Sequence, residues 1–554
     1  MALILLFYNC YLYGENSRLI EAWIKAIILW SGLIYFSLEI LSVFSVVSFN
    51  TLLLFWASII FILSGAIWRY HKKEKYHSDL SVRLKSILKQ NRIWAFLSVL
   101  LIYFSFRTVP YNWDSMTYHL SRIANWAQNR SVGHYGTNVI RQIVSPVLAE
   151  FVNLHVYILS GQKDYLLNLL QCISALTNVW LVYEIAVKIG CGRLYARIAA
   201  FLLYTAPIAF GEALTTQVDQ YATVWLLIFV YYYVEMLGAE YRFRFNSEII
   251  GKCLIMGSCI AFGYLTKPSI LVGVAVFAIL LLALCIKRKD SARIIGKLLF
   301  CVISLILLII APEMVRNIRS FGSISLPIAG QRQLTGTLNP FYILVNGLKN
   351  FTFNIPNIYW EKGSHWVAAA VYRIAAFLHV EIDATSISEG GLAFGLHDAR
   401  TYGHDTAVNA VVFLWFIFCA IWGIYRFKRQ ENRIGRCYSA LVSLTFLLFC
   451  CIVRWEPFVS RYMLSYLALL CPMIAFEIED FRKSIHIGGV QVCCQQPGSC
   501  LCVVSNWLVY WNFMGKLYRR KMKNGFGDIF IIGIICTKNI RKYVNWQENS
   551  PVVI

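Results

Sequence analysis

Apolar runs of about 20 residues recur along the chain, which is the length that a helix needs to cross the hydrocarbon core of a bilayer. Of the 554 residues, 58% are hydrophobic and 14% are charged, and the mean hydropathy is +0.59. One soluble core cannot bury that much apolar surface. The sequence therefore predicts an all-α polytopic membrane protein.

The formal net charge of +22 does not indicate a nucleic-acid partner. The basic residues fall in short clusters between apolar runs rather than on one polar domain, so membrane insertion and contacts with membrane lipids account for most of them. The N-terminal stretch has no basic region and no small-residue cleavage site, which predicts a retained hydrophobic start rather than a signal peptide. Most of the 17 cysteines lie in apolar runs and indicate no disulfide framework.

The apolar runs predict a bundle of about 12–14 transmembrane helices. The clear candidates lie near 20–46, 50–69, 93–109, 165–187, 197–211, 217–238, 252–266, 268–286, 296–315, 408–425, 437–453 and 462–478. Two weak candidates follow near 501–514 and 527–536. From about residue 484 the chain becomes rich in Cys, Gln and Lys, so we divide it into a transmembrane domain, 1–483, and a C-terminal tail, 484–554.

The basic clusters orient this bundle, because Lys and Arg accumulate in cytoplasmic loops. All of the clusters fall on the cytoplasmic side when the spans are threaded in order; they lie within 69–92, 188–197, 242–252, 287–297 and 426–436. The segments placed outside are 110–164, 212–220, the turn around Lys267 and 316–407. Segment 143–160 is apolar but carries Glu150, and it would invert every later loop if it spanned, so we expect it to lie flat on the outer face.

The first outer loop contains Asp114 in the string NWDSMTYH. A helix that begins near Ser115 would place Tyr118 and Arg122 on the same face as this acid, with His119 beside them. Such a cluster indicates acid and base chemistry at the membrane surface. Helix capping is the alternative, because Asp is favoured as an N-cap residue.

Two ionisable residues interrupt later apolar stretches. Asp219, in TTQVDQYAT, enters the membrane region, where an ionisable group is costly unless it faces a cavity or a partner. Lys267, in YLTKPSI, stands before a proline that breaks the helix and forms an outer turn. A cap or ion pair is the alternative for Asp219, and a snorkelling lysine is the alternative for Lys267.

Two arginine clusters are predicted to face outward. Arg316 and Asn317 lie in APEMVRNIRSFGSISLP, and Arg461 and Tyr462 lie in VRWEPFVSRYMLSY. Arginine suits phosphate because its planar fork donates paired hydrogen bonds without losing its charge. The alternative for the first cluster is an ordinary interfacial anchor, whereas the second runs against the topological bias and more strongly indicates an anion site.

Other polar segments give weaker signals. Glu389, His397, Asp398, His404 and Asp405 could ligate a divalent ion, but a solvated loop explains them as well. The cysteines of the tail do not have a standard zinc spacing. No Walker, dinucleotide-binding or HExxH pattern is present, so nucleotide hydrolysis and zincin chemistry have no support. Carboxylates near phosphates are too generic a pattern to settle metal dependence, which stays open.

The ordered set of motifs resembles the GT-C membrane glycosyltransferases, in particular the family 39-like branch of protein mannosyltransferases and aminoarabinose-transferase-like enzymes. The matching pieces span residues 100–475 and are NWDSMTYHLSRIANW, TTQVDQYA, YLTKPS, the RN-containing pattern in APEMVRNIRSFGSISLP, and SRYMLSYLALLCP. The chain departs from the aminoarabinose-transferase pattern where the second loop reads RQIVSPVLAE, which leaves the sugar open and makes Glu150 an uncertain second acid.

The resemblance implies a GT-C-type bundle whose extracytoplasmic loops carry the active site, in a bacterial inner or plasma membrane. The donor would be a polyprenyl-phosphate sugar, and the acceptor a glycan, lipid or protein. Asp114 would act as general base with inversion at the sugar, while cations offset charge on the leaving phosphate. The candidate site residues are Asp114, Asp219 and His119 for catalysis, Lys267, Arg316, Arg461 and Arg122 for the donor phosphate, and Tyr118, Glu150, Asn317 and Tyr462 in further contacts.

Two other functions stay open. A lipid-linked oligosaccharide transporter or flippase would also carry ionisable residues, but along a midplane path and commonly with repeated halves. No internal repeat is visible, and the polar residues collect at one face. A polysaccharide polymerase or ligase would share the donor lipid and transfer a whole glycan, for which the long outer loop 316–407 leaves room.

Overall fold

The computed structural model describes residues 1–14, 18–73, 80–110, 112–238, 242–324, 334–355, 361–396, 407–426 and 432–487. These residues belong to one compact unit, Met1–Val492. They contain no β-strand; two isolated β-bridges join Leu334 with Val453 and Ser388 with Trp455. The tail beyond residue 487, with its cysteines and the two weak candidate spans, lies outside the described residues.

Helices make up nearly all of this unit. In chain order they are α1 (Ala2–Leu12), α2 (Leu19–Val43), α3 (Phe49–Lys73), α4 (Leu80–Gln90), α5 (Arg92–Arg107), α6 (Leu120–Asn129), α7 (Arg141–Val144), α8 (Leu148–Leu159), α9 (Leu169–Lys188), α10 (Arg193–Thr205), α11 (Pro207–Glu212), α12 (Asp219–Met236), α13 (Ser247–Thr266), α14 (Leu271–Arg288), α15 (Ala292–Phe321), α16 (Pro340–Thr352), α17 (Glu361–Phe377), α18 (Ala410–Arg426), α19 (Arg433–Ile452) and α20 (Val459–Ile487). The last helix runs past the predicted domain boundary at residue 484.

Every clear candidate span is helical in the structure. Eight helices of the described part are long and apolar enough to cross a bilayer, and the bent pair formed by α4 and α5 makes a ninth. The other clear candidates correspond to α10 with α11, to α12 and to α18. The prediction of an all-α polytopic membrane protein is confirmed.

Helix α12 lies at the centre of the bundle. All of its residues except Glu235 are buried, and it packs against α9, α13 and α20. In contrast, only 11% of the apolar window of α3 and of α15 is buried. Because these two helices are apolar yet exposed, they are the ones that would face lipid. Asp219, the first residue of α12, is therefore held inside the protein and away from the lipid-facing helices.

The turn around Lys267 forms as predicted. Helix α13 ends at Thr266, and Pro268 opens a 3₁₀ turn that leads into α14. The proline lacks the N–H that would continue the helix. The turn packs closely against α13, because a Cβ at Gly263 would collide with the side chain of Ile270.

The apolar segment predicted to lie flat on the outer face forms the short helix α8. Nine of its 12 residues are buried, and it packs against α2, α3 and α6. Helix α8 therefore carries Glu150 into the interior of the protein, where an acid needs a partner.

A segment that is predicted to be outside is bonded to the loop between α19 and α20. Asn346 and Asn350 of α16 each donate to the carbonyl of Val453 at 2.7 Å, and Asn346 accepts from the N–H of Trp455 at 3.0 Å. The N–H of Glu389 donates to the carbonyl of Trp455 at 3.0 Å. These bonds position the stretch 453–456, with Arg454 and Glu456, over the ends of the helices.

Charges are also paired at the end of the bundle that is predicted to be cytoplasmic. Arg436 of α19 lies 2.8 Å from Asp480 and 3.4 Å from Glu477, both of α20, and Arg426 of α18 lies 3.2 Å from Asp480. The Arg436 side chain is 4% exposed. One acidic helix face thus holds three helices together.

We expect Arg436→Gln to lower the free energy of unfolding by about 3–5 kcal/mol, because it leaves buried Glu477 without its partner. Lys483→Gln is the matched control: this lysine also pairs with an acid of α20 but is 66% exposed, so its loss should cost less than about 1 kcal/mol. Unfolding of both variants in detergent measures the difference. Equal effects would contradict the structural role of the cluster.

Candidate active site

One open cavity collects most of the candidate residues. Its walls come from the segments predicted to be outside, together with the beginning of α20. Its lining residues with polar or charged side chains are Asp114, Tyr118, His119, Arg141, Ser145, Glu150, Gln217, Asp219, Thr266, Lys267, Glu389, Arg454, Glu456, Arg461 and Tyr462. Asp114 and Arg461, which are 347 positions apart in the chain, meet here.

Asp114 does not cap a helix. The N–H of Ser115 is bound at 2.7 Å by the side-chain oxygen of Asn112, and the Asp114 side chain makes no capping bond. Instead the Asp114 carboxylate accepts from Arg461 at 2.6 Å and lies 3.5 Å from Arg141. Burial acts to raise the pKa of the Asp114 carboxyl, but the neighbouring Arg461 guanidinium outweighs it and the pKa is lowered. The acid is therefore ionised and faces the cavity.

The chain after Asp114 makes a π-helical turn, Ser115–His119, before α6 begins. Such turns place one extra residue in a helix and occur frequently at functional sites. Thr216 donates to the hydroxyl of Ser115 at 2.6 Å, which fastens the loop before α12 to this turn. The turn directs both Tyr118 and His119 to the cavity wall.

Behind this turn, His119 and Glu150 form a buried pair. The imidazole Nδ1–H donates to Glu150 at 2.7 Å, and Arg122 lies 3.4 Å from the same carboxylate oxygen. Burial acts to raise the pKa of Glu150, whereas His119 and Arg122 lower it, and the net pKa is lowered. Within the described part of the chain, His119 Nε2 and the second oxygen of Glu150 have no hydrogen-bond partner. The pair has the arrangement of a base held by an orienting acid.

Asp219 and Lys267 form a second buried ion pair with a short contact. The Lys267 ammonium also lies 3.9 Å from the centre of the Tyr462 ring, a cation–π contact. Lys267 is 8% exposed, so it does not snorkel to the surface. Both charges instead lie in the cavity wall.

The remaining predicted phosphate ligands lie elsewhere. Arg316 binds Glu39 at 2.5 Å and Glu313 at 2.8 Å, and it donates to the carbonyl of Val132 at 2.9 Å. Neither Arg316 nor its neighbour Asn317 lines the cavity. The Arg316 guanidinium is already surrounded by two carboxylates, which leaves it little capacity for a phosphate.

Arg122 is likewise absent from the cavity lining. Its guanidinium donates to the carbonyls of Ser145 at 2.5 Å and Pro146 at 2.8 Å, and it is fully buried. It therefore supports the loop before α8 and the Glu150 carboxylate from behind.

Several lining residues were not candidates from the sequence. Arg141 and Gln217 stand in segments that were predicted to be outside. Gln217 lies two positions before Asp219 in TTQVDQYAT, so its closeness to a candidate acid was visible in the sequence. Arg454 and Glu456 belong to the outward cluster VRWEPFVSRYMLSY, whose arginines indicated an anion site, and Glu389 was considered as a metal ligand. None of the three was among the candidate site residues. Burial raises the pKa of the Glu456 carboxyl.

The charges in the cavity nearly balance. Five carboxylates face four cationic side chains and one histidine among the lining residues, and buried charges are stable only when paired. No group of three or more His, Cys, Asp or Glu side chains that could hold a metal ion occurs in the part of the chain that the structure describes. His397, Asp398, Arg400, His404 and Asp405 of the predicted loop lie outside that part. The cavity can bind an anionic group and exchange protons.

Comparison with known proteins gives structural likeness alone. No protein-family model and no curated protein matches the chain. Similar solved structures include ArnT from Cupriavidus metallidurans bound to undecaprenyl phosphate, with a TM-score of 0.37 and 13% identity over 76% of this chain and 88% of ArnT. The archaeal oligosaccharyltransferase AglB from Archaeoglobus fulgidus, in complex with an inhibitory peptide and a dolichol-phosphate, has a TM-score of 0.38 and 12% identity over 76% of this chain and 54% of AglB.

At these TM-scores and identities, no residue role or substrate is transferred from these proteins to this chain.

The His119–Glu150 pair predicts a pH dependence of stability. The Glu150 pKa is lowered from its ordinary value of 4.5, so the carboxylate stabilises the folded state above about pH 4.5 and this stabilisation is lost as the pH falls through the folded pKa. We expect Glu150→Gln to flatten the decline of Tm between about pH 5 and pH 3. Thermal unfolding of both proteins across this range measures it, and parallel declines would contradict the ion pair.

Proposed function

We propose that the protein is an integral membrane glycosyltransferase that moves a sugar from a polyprenyl-phosphate donor to an extracytoplasmic acceptor. The observation that carries this proposal is the meeting of Asp114, Arg461 and the Asp219–Lys267 pair in one cavity. An acid that can accept a proton and cations that can hold a phosphate are the two requirements of this transfer. The acceptor is a glycan, a lipid or a protein.

The donor phosphate is assigned to Lys267 and Arg461. Each cation is already held by an acid, so each is fixed in place before the donor arrives. When the bond between the sugar and the phosphate breaks, negative charge grows on the phosphate oxygen, and the two cations offset it. Arg316 is assigned to the fold instead, because Glu39 and Glu313 already share its guanidinium.

Asp114 is assigned as the general base. An oxygen of the acceptor hydroxyl attacks the anomeric carbon and its proton passes to Asp114, while the electrons of the breaking carbon–oxygen bond go to the phosphate. A single attack on the face opposite the phosphate inverts the anomeric configuration. Asp219 keeps Lys267 in place, and the His119–Glu150 pair offers a second proton-transfer group on the same wall. Tyr118 and Tyr462 complete the polar wall.

The distribution of Lys and Arg indicates on which side of the membrane the reaction would occur. The cavity is formed by segments that the distribution of Lys and Arg places outside, so the reaction would occur on the extracytoplasmic side, which in a bacterium is the outer face of the inner membrane. Undecaprenyl phosphate and dolichol phosphate, the lipids bound to ArnT and AglB, serve as experimental probes. A lipid-linked oligosaccharide flippase is the competing function, and a polymerase or ligase would use the same cavity with a larger transferred group.

We expect Asp114→Asn to reduce sugar transfer by about 10²–10⁴-fold, because the amide keeps the shape of the carboxylate but cannot accept the proton. Transfer of radiolabelled sugar from undecaprenyl-phosphate sugars, in membranes with matched protein level, measures this loss. Asp164→Asn, at an acid that does not line the cavity, is the control and should retain activity. Movement of intact lipid-linked sugar by the wild type, without transfer, would favour the flippase.

We expect the double variant Lys267→Gln/Asp219→Asn to bind undecaprenyl phosphate about 10-fold more weakly. Both charges are removed together, so no unpaired buried charge remains to unfold the protein. Lys188→Gln/Glu235→Gln removes another paired cation and acid, 2.8 Å apart, outside the cavity and should bind normally. Equal affinities of all three proteins in a titration would remove Lys267 from the phosphate site.

A further inference from the structure

The wall of the cavity contains an amide that lacks partners. Gln217 is 1% exposed, yet neither its side-chain oxygen nor its side-chain nitrogen has a hydrogen-bond partner among the residues that the structure describes. Buried amides are nearly always paired, because losing water without a replacement is costly. Gln217 also lines the cavity. An unpaired amide in the cavity wall indicates that a ligand supplies its missing hydrogen bonds.

The backbone around Gln217 is fixed on both sides. Its N–H donates to Thr215 at 3.2 Å, and the adjacent Thr216 is bonded to Ser115 of the π-helical turn. Two residues later, Asp219 is paired with Lys267. Only the side chain has freedom, and its terminal torsion is soft, so the amide can turn into the cavity without a change of the backbone.

The chemistry of the amide selects the group that it can bind. It offers one acceptor and two donor hydrogens and has no charge. A sugar hydroxyl both donates and accepts, so it can satisfy both ends, whereas an ionised phosphate only accepts and a lipid chain does neither. The charged groups nearby, Lys267 and Arg461, are those assigned to the phosphate. Gln217 therefore suits the neutral part of a donor.

We propose that Gln217 binds a hydroxyl of the sugar being transferred and so helps to select that sugar. The inference rests on the proposed function, because it divides the donor between two sets of residues. Lys267 and Arg461 bind the phosphate, and Gln217 binds the sugar. His119 Nε2, which also lacks a protein partner, lies in the same wall and is available to a neighbouring hydroxyl.

The test compares bare undecaprenyl phosphate with undecaprenyl-phosphate mannose, glucose and galactose as ligands of the detergent-solubilised full chain. Gln217→Met keeps the size of the side chain and removes its polar atoms. We expect this variant to bind the preferred sugar lipid about 10-fold more weakly than the wild type and to bind bare undecaprenyl phosphate equally well. Deoxy analogues of the preferred sugar then locate the hydroxyl: one of them should lower the affinity of the wild type but not that of Gln217→Met.

A matched control separates sugar binding from folding. Gln171 is also 1% exposed, but its oxygen accepts from the N–H groups of Gln220 and Tyr221 at 3.0 and 3.1 Å and it does not line the cavity. We expect Gln171→Met to lower Tm and to leave the ratio of the two affinities unchanged. Gln217→Met should leave Tm unchanged or raised, because it removes unpaired polar atoms.

The outcomes discriminate clearly. A Gln217→Met variant that fails to fold, or that weakens bare undecaprenyl phosphate as much as the sugar lipid, overturns the inference. An unchanged ratio of the affinities for the sugar lipid and for bare undecaprenyl phosphate also overturns it, because water would then supply the hydrogen bonds of the amide. If the wild type binds bare undecaprenyl phosphate but no sugar lipid more tightly, the sugar site fails while the phosphate site stands. If it binds neither, the proposed function itself fails.

Discussion

The need to pair buried charges organises this protein more than any other constraint. A membrane-embedded bundle offers little water to an ionised side chain, so an acid or a base inside it is stabilised best by a partner of opposite charge. The end of the bundle that is predicted to be outside meets this need with Arg461 against Asp114 and Lys267 against Asp219. The partners come from different helices and loops, so the pairs also determine which segments meet. The cavity is thus a product of charge pairing as well as of helix packing.

The paired charges have a structural role and a role in the proposed reaction. In the free protein the pairs hold the helix ends together, and in the proposed reaction the same cations would be shared with a phosphate. A ligand of that charge would therefore replace part of an existing interaction instead of adding a new one to a bare cation. Gln217 stands apart from these pairs, whereas His119 keeps one ring nitrogen outside its pair with Glu150. These polar atoms have no partner among the described residues, so a ligand would supply their missing hydrogen bonds.

Much of this arrangement could be predicted from the sequence, and the failures have a common cause. The apolar runs gave the spans, and the distribution of Lys and Arg grouped Asp114, Asp219, Lys267 and Arg461 on one side before any contact was known. Arg316 satisfied the same rules, but its partner Glu39 lies 277 positions earlier in an apolar helix, and no local pattern reports such a pair. Gln217 could not be predicted for the opposite reason. It stands out because its side chain has no hydrogen-bond partner among the described residues, and a sequence does not show this.

The π-helical turn after Asp114 has a consequence for the length of the chain. An α-helix rotates by about 100° for each residue, so the additional residue of Ser115–His119 sets the angular position of Asp114 relative to everything carried by α6. Deleting any one residue of this turn would turn the acid away from Arg461 while leaving the composition of the loop almost unchanged. In this region the spacing of residues carries as much information as their identity, and a substitution is a milder change than a gap.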